Sequence, residues 1–269
     1  MINRALLTLV TTLFCLTAAA GDRRALYTQH EALAIGLLRG QTPSGNWVGG
    51  VVAIAQNECF VALTTAGHNL IDGEGRPTAP LSKIHVLLAA AELPVIEAHT
   101  DPQNPSTTPP EDDWAIVIAA KPRCGQEFVT IPPGSIRPTR LPSKGLPVTL
   151  ACIHHDRPSL RNRTSAEQCR LYPPGKRFAG LYAHKQGEPV GLHSCTAKLG
   201  SSGCPLLSAQ PGQPARFIGT QIEAHLTTGA GVARLFSDRY QRAYRHALAQ
   251  MAQLDDPRGQ KTAQLSGPN

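Results

Sequence analysis

The sequence predicts an all-β fold that ends in one α-helix. Short apolar runs rich in β-branched residues, broken by Gly, Pro, Asn and Asp, fill residues 30–236. Gly and Pro together supply about one residue in six, against an ordinary share of about 12%. Charged residues make up only 17% of the chain, which argues against a coiled coil or a helical array. No apolar run alternates with a long helical pattern, so a βαβ fold is disfavoured.

The predicted strands have the lengths and close spacing typical of sandwiches and barrels. They are Trp47–Ala55, Cys59–Thr64, Ile84–Ala90, Trp114–Ala119, Phe128–Ile131, Val148–Ile153, Phe178–Tyr182, Pro189–Cys195, Pro205–Ser208, Phe217–Ile222 and Gly231–Phe236. The Pro-rich segment Thr100–Asp112 is predicted to be a surface loop, because proline cannot donate a ladder hydrogen bond. A second Pro-rich segment, Pro132–Pro147, predicts a linker between two halves, residues 21–135 and 136–236.

Both ends of the chain carry their own patterns. Residues 1–20 have a basic start, a short apolar stretch and a final Ala18-Ala19-Ala20, which is the pattern of a secretory signal peptide. We therefore expect a secreted or periplasmic protein. After Ser237, apolar residues recur with helical spacing, which predicts a C-terminal helix over residues 237–253 and a loose tail over residues 254–269.

Charge and cysteine content narrow the possible partners. The formal net charge of +7 could indicate an anionic partner, but the basic residues are spread over loops, so no nucleic-acid partner is expected. No stretch beyond the leader is long and apolar enough to predict a membrane span. Six cysteines lie after the leader, which suits up to three disulfides in an exported chain. They contain no C-x-x-C pair, so a structural zinc site is not expected.

Three short motifs supply the parts of a nucleophilic triad. His68 ends Ala62-Leu-Thr-Thr-Ala-Gly-His68, Asp113 precedes the apolar run that begins at Trp114, and Ser202 lies within Gly200-Ser-Ser-Gly-Cys-Pro. A serine hydroxyl becomes nucleophilic when an imidazole takes its proton and a carboxylate orients that imidazole. Glycines beside the serine let backbone N–H groups converge on an oxyanion.

At these residues the sequence resembles the chymotrypsin-like serine peptidases, and in particular their bacterial secreted members. The order His, Asp, Ser is that of the family. His68 matches the T-A-x-H motif and Ser202 the G-x-S-G-x-P motif. Asp113 matches the D-[IL]-A-[LIV]-[LIV] motif, which here reads Asp-Trp-Ala-Ile-Val. The resemblance covers roughly residues 45–236.

The resemblance implies two six-stranded antiparallel β-barrels followed by the C-terminal helix. His68 and Asp113 would come from the first barrel and Ser202 from the second, with the Gly200 and Ser202 N–H groups forming the oxyanion hole. The implied activity is endopeptidase cleavage of protein or peptide substrates by a monomeric enzyme without cofactor or metal. Two alternatives stay open: a catalytically inactive protease-like binding protein and an esterase on the same fold.

Specificity is not that of a trypsin. By alignment on Ser202, the substrate pocket would have Thr196 at its floor and Gln221 to Ala224 in its wall. Thr196 is not the acid that a basic substrate side chain needs at the pocket floor, so a neutral, polar or small side chain is expected. Glu223 lies nearby, and an inward-facing Glu223 would reverse this expectation. Ser201 stands where many animal members have an Asp that pairs with a new N-terminal amine, so activation of that kind is not expected.

Cys204 follows the predicted nucleophile loop, where the family usually has Gly or Ser. The favoured interpretation is a disulfide with Cys152; a buried free thiol and a nucleophilic Cys204 are the alternatives. The related bacterial peptidases suggest that Cys169 pairs with Cys195. Cys59 and Cys124 are then left as a third pair.

Overall fold

Two antiparallel β-barrels and one α-helix make up the part of the chain that the computed structural model describes. The described residues are 23–42, 45–100, 113–137, 140–154, 159, 162–173, 190–198, 200–208, 213–224 and 231–255. The predicted signal peptide, the predicted strand Phe178–Tyr182 and nearly all of the predicted loop Thr100–Asp112 lie outside them. So does most of the predicted tail. Among the described residues, no helix combines the length and the hydropathy that a membrane crossing needs.

The first barrel is a closed ring of six strands. Strand β1 (Ala25–Leu26) precedes it, and the ring runs β2-β3-β4-β7-β6-β5. Its strands are β2 Ile35–Thr42, β3 Gly45–Gln56, β4 Phe60–Thr65, β5 Ile84–Leu88, β6 Ala91–Thr100 and β7 Ala115–Ala120. Short 3-10 turns lie at His30–Ala34, Gly67–Asn69 and Leu81–Lys83. Because β4 pairs with β7, with Thr65 opposite Ala115, the end of β4 meets the start of β7.

The second barrel has the same number of strands. They are β8 Leu146–Ile153, β9 Thr164–Tyr172, β10 Val190–His193, β11 Pro205–Ser208, β12 Phe217–Ala224 and β13 Gly231–Leu235. The order is β9-β10-β13-β12-β11-β8, and a β8–β9 pairing closes the ring. Strand β1 adds to it alongside β9, with Ala25 opposite Ala166. The two six-stranded antiparallel barrels implied by the resemblance are therefore confirmed, while the boundary at residue 135 stays a prediction.

The predicted C-terminal helix is α1, Asp238–Leu254. Its apolar stripe buries Tyr240, Ala247 and Met251. The Tyr240 ring stacks on that of Trp114 at a centroid distance of 4.7 Å. Since Trp114 follows Asp113 directly, the helix covers the side of the first barrel from which Asp113 comes.

The predicted strand Phe128–Ile131 is wrong as a strand, although both of its end residues are buried. The side chain of Gln56 occupies the place of a partner strand. Its Nε2 donates to Phe128 O at 2.7 Å, and its Oε1 accepts from Phe128 N at 3.0 Å. The segment thus packs against β3 as irregular backbone whose hydrogen bonds are satisfied.

Each barrel is cross-linked internally by disulfides, one in the first barrel and two in the second. They join Cys59 to Cys124, Cys152 to Cys204, and Cys169 to Cys195. These are the favoured pairings of the sequence analysis. The second pair ties the start of β11 to β8 and leaves Cys204 without a free thiol.

Candidate active site

His68 and Asp113 meet where β4 and β7 lie side by side. The Gly67–Asn69 turn follows β4 and carries His68. Asp113 is 8% exposed, and its Oδ1 accepts from the His68 backbone N–H at 2.8 Å. Its Oδ2 lies 2.6 Å from His68 Nδ1. One carboxylate therefore fixes both the backbone and the ring of the histidine.

The charge of Asp113 also sets the protonation of His68. Burial lowers the pKa of His68, but the hydrogen bond from Asp113, its charge and the charge of Glu223 together outweigh burial and raise the pKa above its usual value. An ionised Asp113 accepts from Nδ1–H, so in the neutral ring the lone pair is on Nε2. The arrangement suits a general base.

The backbone of Ser202 is hydrogen-bonded to the first barrel, at the turn that carries His68. Its carbonyl oxygen accepts from the Gly50 backbone N–H at 2.7 Å and from Asn69 Nδ2 at 3.2 Å. Among the described residues, no hydrogen bond joins Ser202 Oγ to the His68 ring. Catalytic hydrogen bonds are often long before substrate binds, so the missing Ser202–His68 hydrogen bond does not rule out Ser202 as the nucleophile.

The loop around Ser202 depends on glycine at two positions. Gly200 has φ +83° and Gly203 has φ +91°, in the left-handed region that favours glycine. A Cβ on Gly203 would lie 2.1 Å from Gly50 O and 2.4 Å from Thr65 Oγ1. The loop can therefore approach β3 this closely only with glycine at position 203.

The backbone N–H groups of this loop divide into two sets. Ser201 N donates to Lys198 O at 2.9 Å, and Cys204 N donates to Ser201 O at 3.0 Å. Gly200 N and Ser202 N donate to no other described residue. The N–H groups at the two predicted oxyanion positions are thus available to a ligand within the described part of the chain. Ser201 Oγ donates to Lys198 O at 2.6 Å, so this side chain is already engaged with its own loop.

Of the predicted pocket residues, Gln221 lies against this loop. Gly203 N donates to Gln221 O at 2.7 Å, and Gln221 N donates to Cys204 O at 2.8 Å, so β12 runs directly beside the predicted nucleophile. Ala224 ends β12, opposite Gly231. Thr196 precedes the loop, and its N–H donates to the Glu167 carboxylate.

The side chain of Gln221 is buried and fully engaged. Its Nε2 donates to Glu223 O at 2.6 Å, and its Oε1 contacts His193 Nε2. Burial lowers the pKa of His193 to about 4, against a small raising effect of the Gln221 hydrogen bond. His193 is therefore neutral at ordinary pH, and Nε2 carries its proton. The Gln221 side chain is thus part of a buried hydrogen-bond network and does not project freely into the predicted pocket.

Three buried polar residues near the candidate site were not singled out by the sequence analysis: Asn69, Glu167 and His193. For Asn69, the available signal was its position directly after His68. The alternation of Cys169 and Leu171 points Glu167 toward the barrel interior, which is also a readable signal. Nothing in the sequence singles out His193.

One group of possible metal ligands occurs among the described residues: Cys169, His193 and Cys195, with ligand atoms within 4.8 Å of one another. The two cysteines form a disulfide with each other. Only the imidazole then offers a ligand atom, so this group does not fit a metal ion.

Comparison with known proteins gives a likeness of structure without a likeness of sequence. No protein-family model matches the chain, and no curated protein matches it significantly. The thermostable serine protease AL20 from an extremophilic microorganism is 18% identical, with a TM-score of 0.62 over 81% of this chain and 98% of that one. The protease Anisep from Arthrobacter nicotinovorans is 15% identical, with a TM-score of 0.62 over 84% of this chain and 99% of that one.

A third structure, a Glu endopeptidase in complex with MPD, is 12% identical, with a TM-score of 0.64 over 86% of this chain and 98% of that one. All three are proteases, AL20 being named a serine protease, and this chain spans nearly the whole length of each. The chain therefore has the fold of the chymotrypsin-like serine proteases.

Proposed function

We propose that the protein is a serine endopeptidase with Ser202 as nucleophile, His68 as general base and then acid, and Asp113 as the group that orients His68. The observation that carries the proposal is the contact of Asp113 with His68 at 2.6 Å, next to a Ser202 that Asn69 holds against the same turn. The fold shared with known proteases supports the reaction class.

In the first half of the reaction, His68 Nε2 takes the proton of Ser202 Oγ while Oγ forms a bond to the scissile carbonyl carbon. The electron pair of the carbonyl π bond moves to its oxygen, where the N–H groups of Gly200 and Ser202 stabilise the negative charge. The ionised Asp113 stabilises the imidazolium. The intermediate then collapses, the C–N bond breaks, and the leaving amine takes the proton from His68.

In the second half, water attacks the acyl-enzyme with His68 again as base, and the acid product leaves with Ser202 Oγ reprotonated. Cys204 takes no part, because its sulfur is bonded to that of Cys152. Removing one oxyanion donor in such an enzyme costs about two to three orders of magnitude in rate.

Reaction with a fluorophosphonate probe tests the assignment. The wild type is expected to be labelled, Ser202→Ala to lose labelling, and Cys204→Ser to keep at least part of it. A wild type that is not labelled contradicts the enzyme and supports an inactive binding protein. Cleavage of a peptide library separates an endopeptidase from an esterase, and it also identifies the preferred side chain.

We further infer that the enzyme acts outside the cytoplasm on protein or peptide substrates. Three disulfides suit an oxidising compartment, and residues 1–20 have the pattern of a cleaved leader. N-terminal sequencing of the exported protein is expected to begin near Gly21. A cytoplasmic product that retains Met1 contradicts export.

A further inference from the structure

Glu167 is a buried carboxylate that the proposed mechanism does not use. It lies in β9 and is 2% exposed. Its Oε2 accepts from the Thr196 backbone N–H at 2.8 Å, and its Oε1 lies 2.8 Å from Arg23 Nη2. Each oxygen of one carboxylate thus binds a different segment: the predicted floor of the substrate pocket and the start of the described chain.

Arg23 reaches the same region in two ways. Its Nη2 also donates to Ser194 O at 3.1 Å, two residues before Thr196. The N-terminal segment is held in place by β1, where Leu26 lies opposite Ser165 of β9. The guanidinium therefore bridges the Glu167 carboxylate and the backbone that leads to Thr196.

The buried carboxylate of Glu167 requires a compensating cation, which Arg23 provides. A carboxylate taken out of water is costly unless a charge and hydrogen bonds compensate it. Arg23 supplies that charge from a half-exposed position, its side chain being 56% exposed. Without Arg23, the buried Glu167 charge loses its cation, so the carboxylate has to draw in water or move, and either outcome disturbs its bond to Thr196.

We propose that Arg23 and Glu167 are positioning residues, by which the N-terminal segment fixes the pocket floor and so sets substrate affinity. The inference rests on the proposed function. Neither side chain needs to touch substrate. Because Thr196 is remote from the bonds that change, loosening it weakens substrate and transition state alike, which raises KM and leaves kcat unchanged.

The test uses the mature, disulfide-bonded enzyme and the fluorogenic peptide that the wild type cleaves fastest. Arg23→Gln is expected to raise KM about tenfold, the size of a charge-assisted hydrogen bond such as the one that Arg23 donates to Ser194 O; its contact with Glu167 Oε1 is an ion pair. Its kcat and its rate of fluorophosphonate labelling stay within about twofold of the wild type. Arg23→Lys keeps the charge and holds KM within about threefold. Arg76→Gln is the matched control: it removes an exposed arginine paired with Asp72 on the first barrel, and it changes neither constant.

A double variant gives the sharpest result. In Arg23→Gln/Glu167→Gln the new amide oxygen still accepts from Thr196 N–H, but no buried charge remains, so KM returns toward that of the wild type. A double variant that keeps the high KM overturns the inference, and so does an unchanged KM in Arg23→Gln. Equal losses of kcat and of labelling overturn it as well, because they place the effect on the triad.

The two proposals fail in different ways. A wild type that the probe does not label, and that cleaves no peptide, overturns the proposed function and with it the positioning role. A labelled, active wild type with no KM effect overturns the positioning role alone. Thermal unfolding of each variant is measured alongside. If Arg23→Gln unfolds below the assay temperature, Arg23→Lys decides, and a rise in its KM well beyond threefold contradicts the inference.

Discussion

The amide of Asn69 is the link between the two barrels whose removal we expect to harm catalysis most specifically. Asn69 is 7% exposed, and its Nδ2 donates to Thr65 Oγ1 at 2.9 Å and to Ser202 O at 3.2 Å. Asn69→Ala removes both bonds and leaves Ser202 O with the Gly50 N–H as its remaining partner from the first barrel. The nucleophile is then held on one side only.

The magnitude follows from these contacts. Each lost hydrogen bond costs about 1 kcal/mol net, so the free energy of unfolding falls by about 2 kcal/mol. A displacement of about 1 Å at a reacting group can cost about a hundredfold in rate. Since the bond from Gly50 restrains Ser202, we expect kcat/KM and the labelling rate to fall between about tenfold and a hundredfold.

Asn57→Ala provides the matched control. Asn57 Nδ2 donates to Met251 O at 2.9 Å, and its Oδ1 accepts from Phe60 N at 2.8 Å, so like Asn69 it makes one bond to a distant segment and one local bond. We expect a similar loss of stability, measured by urea unfolding, with unchanged peptide cleavage. If both variants lose the same activity, or if Asn69→Ala keeps full activity at lower stability, the positioning argument is refuted.

Two further predictions address the disulfide and the pH profile. Cys152→Ala/Cys204→Ala opens a loop of 52 residues, which should lower the free energy of unfolding by about 2–5 kcal/mol. Fluorophosphonate labelling should persist at low temperature. Complete loss of labelling in a variant that is still folded contradicts this prediction. Glu223→Gln removes a charge that raises the pKa of His68, so the acid limb of kcat/KM, which requires neutral His68, should move to lower pH with the plateau kept. Glu74 is exposed and pairs with Arg76, so Glu74→Gln should leave the limb in place. An unmoved limb in Glu223→Gln contradicts the coupling.

Most of the strands could be found from their apolar runs. Strand β11 was predicted at its observed bounds, and eight others were predicted within two residues at each end: β3, β4, β5, β7, β8, β10, β12 and β13. The two-residue strand β1 was missed, and so were β2, β6 and β9, in which glycine, proline or polar residues interrupt the apolar run. The alternation in β9 indicates that Glu167 points inward, but its partners come from other parts of the chain and are evident only in the fold.

The proposed triad could be read from the sequence because each member lies at the end of an apolar strand. His68 follows β4, Asp113 precedes β7 and Ser202 precedes β11, so short motifs carry the information. The contacts that hold these residues in place are of another kind. Asn69 reaches Ser202 across the barrel interface, and Arg23 reaches Glu167 from the far end of the chain. No local pattern encodes a partner at such a distance.

Two hydrogen bonds and one disulfide hold the residues at and just after the predicted nucleophile. The Gly50 N–H holds Ser202 O, the Asn69 amide binds the same oxygen, and the disulfide at Cys204 joins the loop to β8. The two hydrogen bonds come from the first barrel and the disulfide from the second, so a displacement of either barrel would also displace the loop. An oxyanion hole requires donors that are already in place when charge develops. This redundancy supplies that preorganisation, and it explains why a single lost tie should slow the reaction without abolishing it.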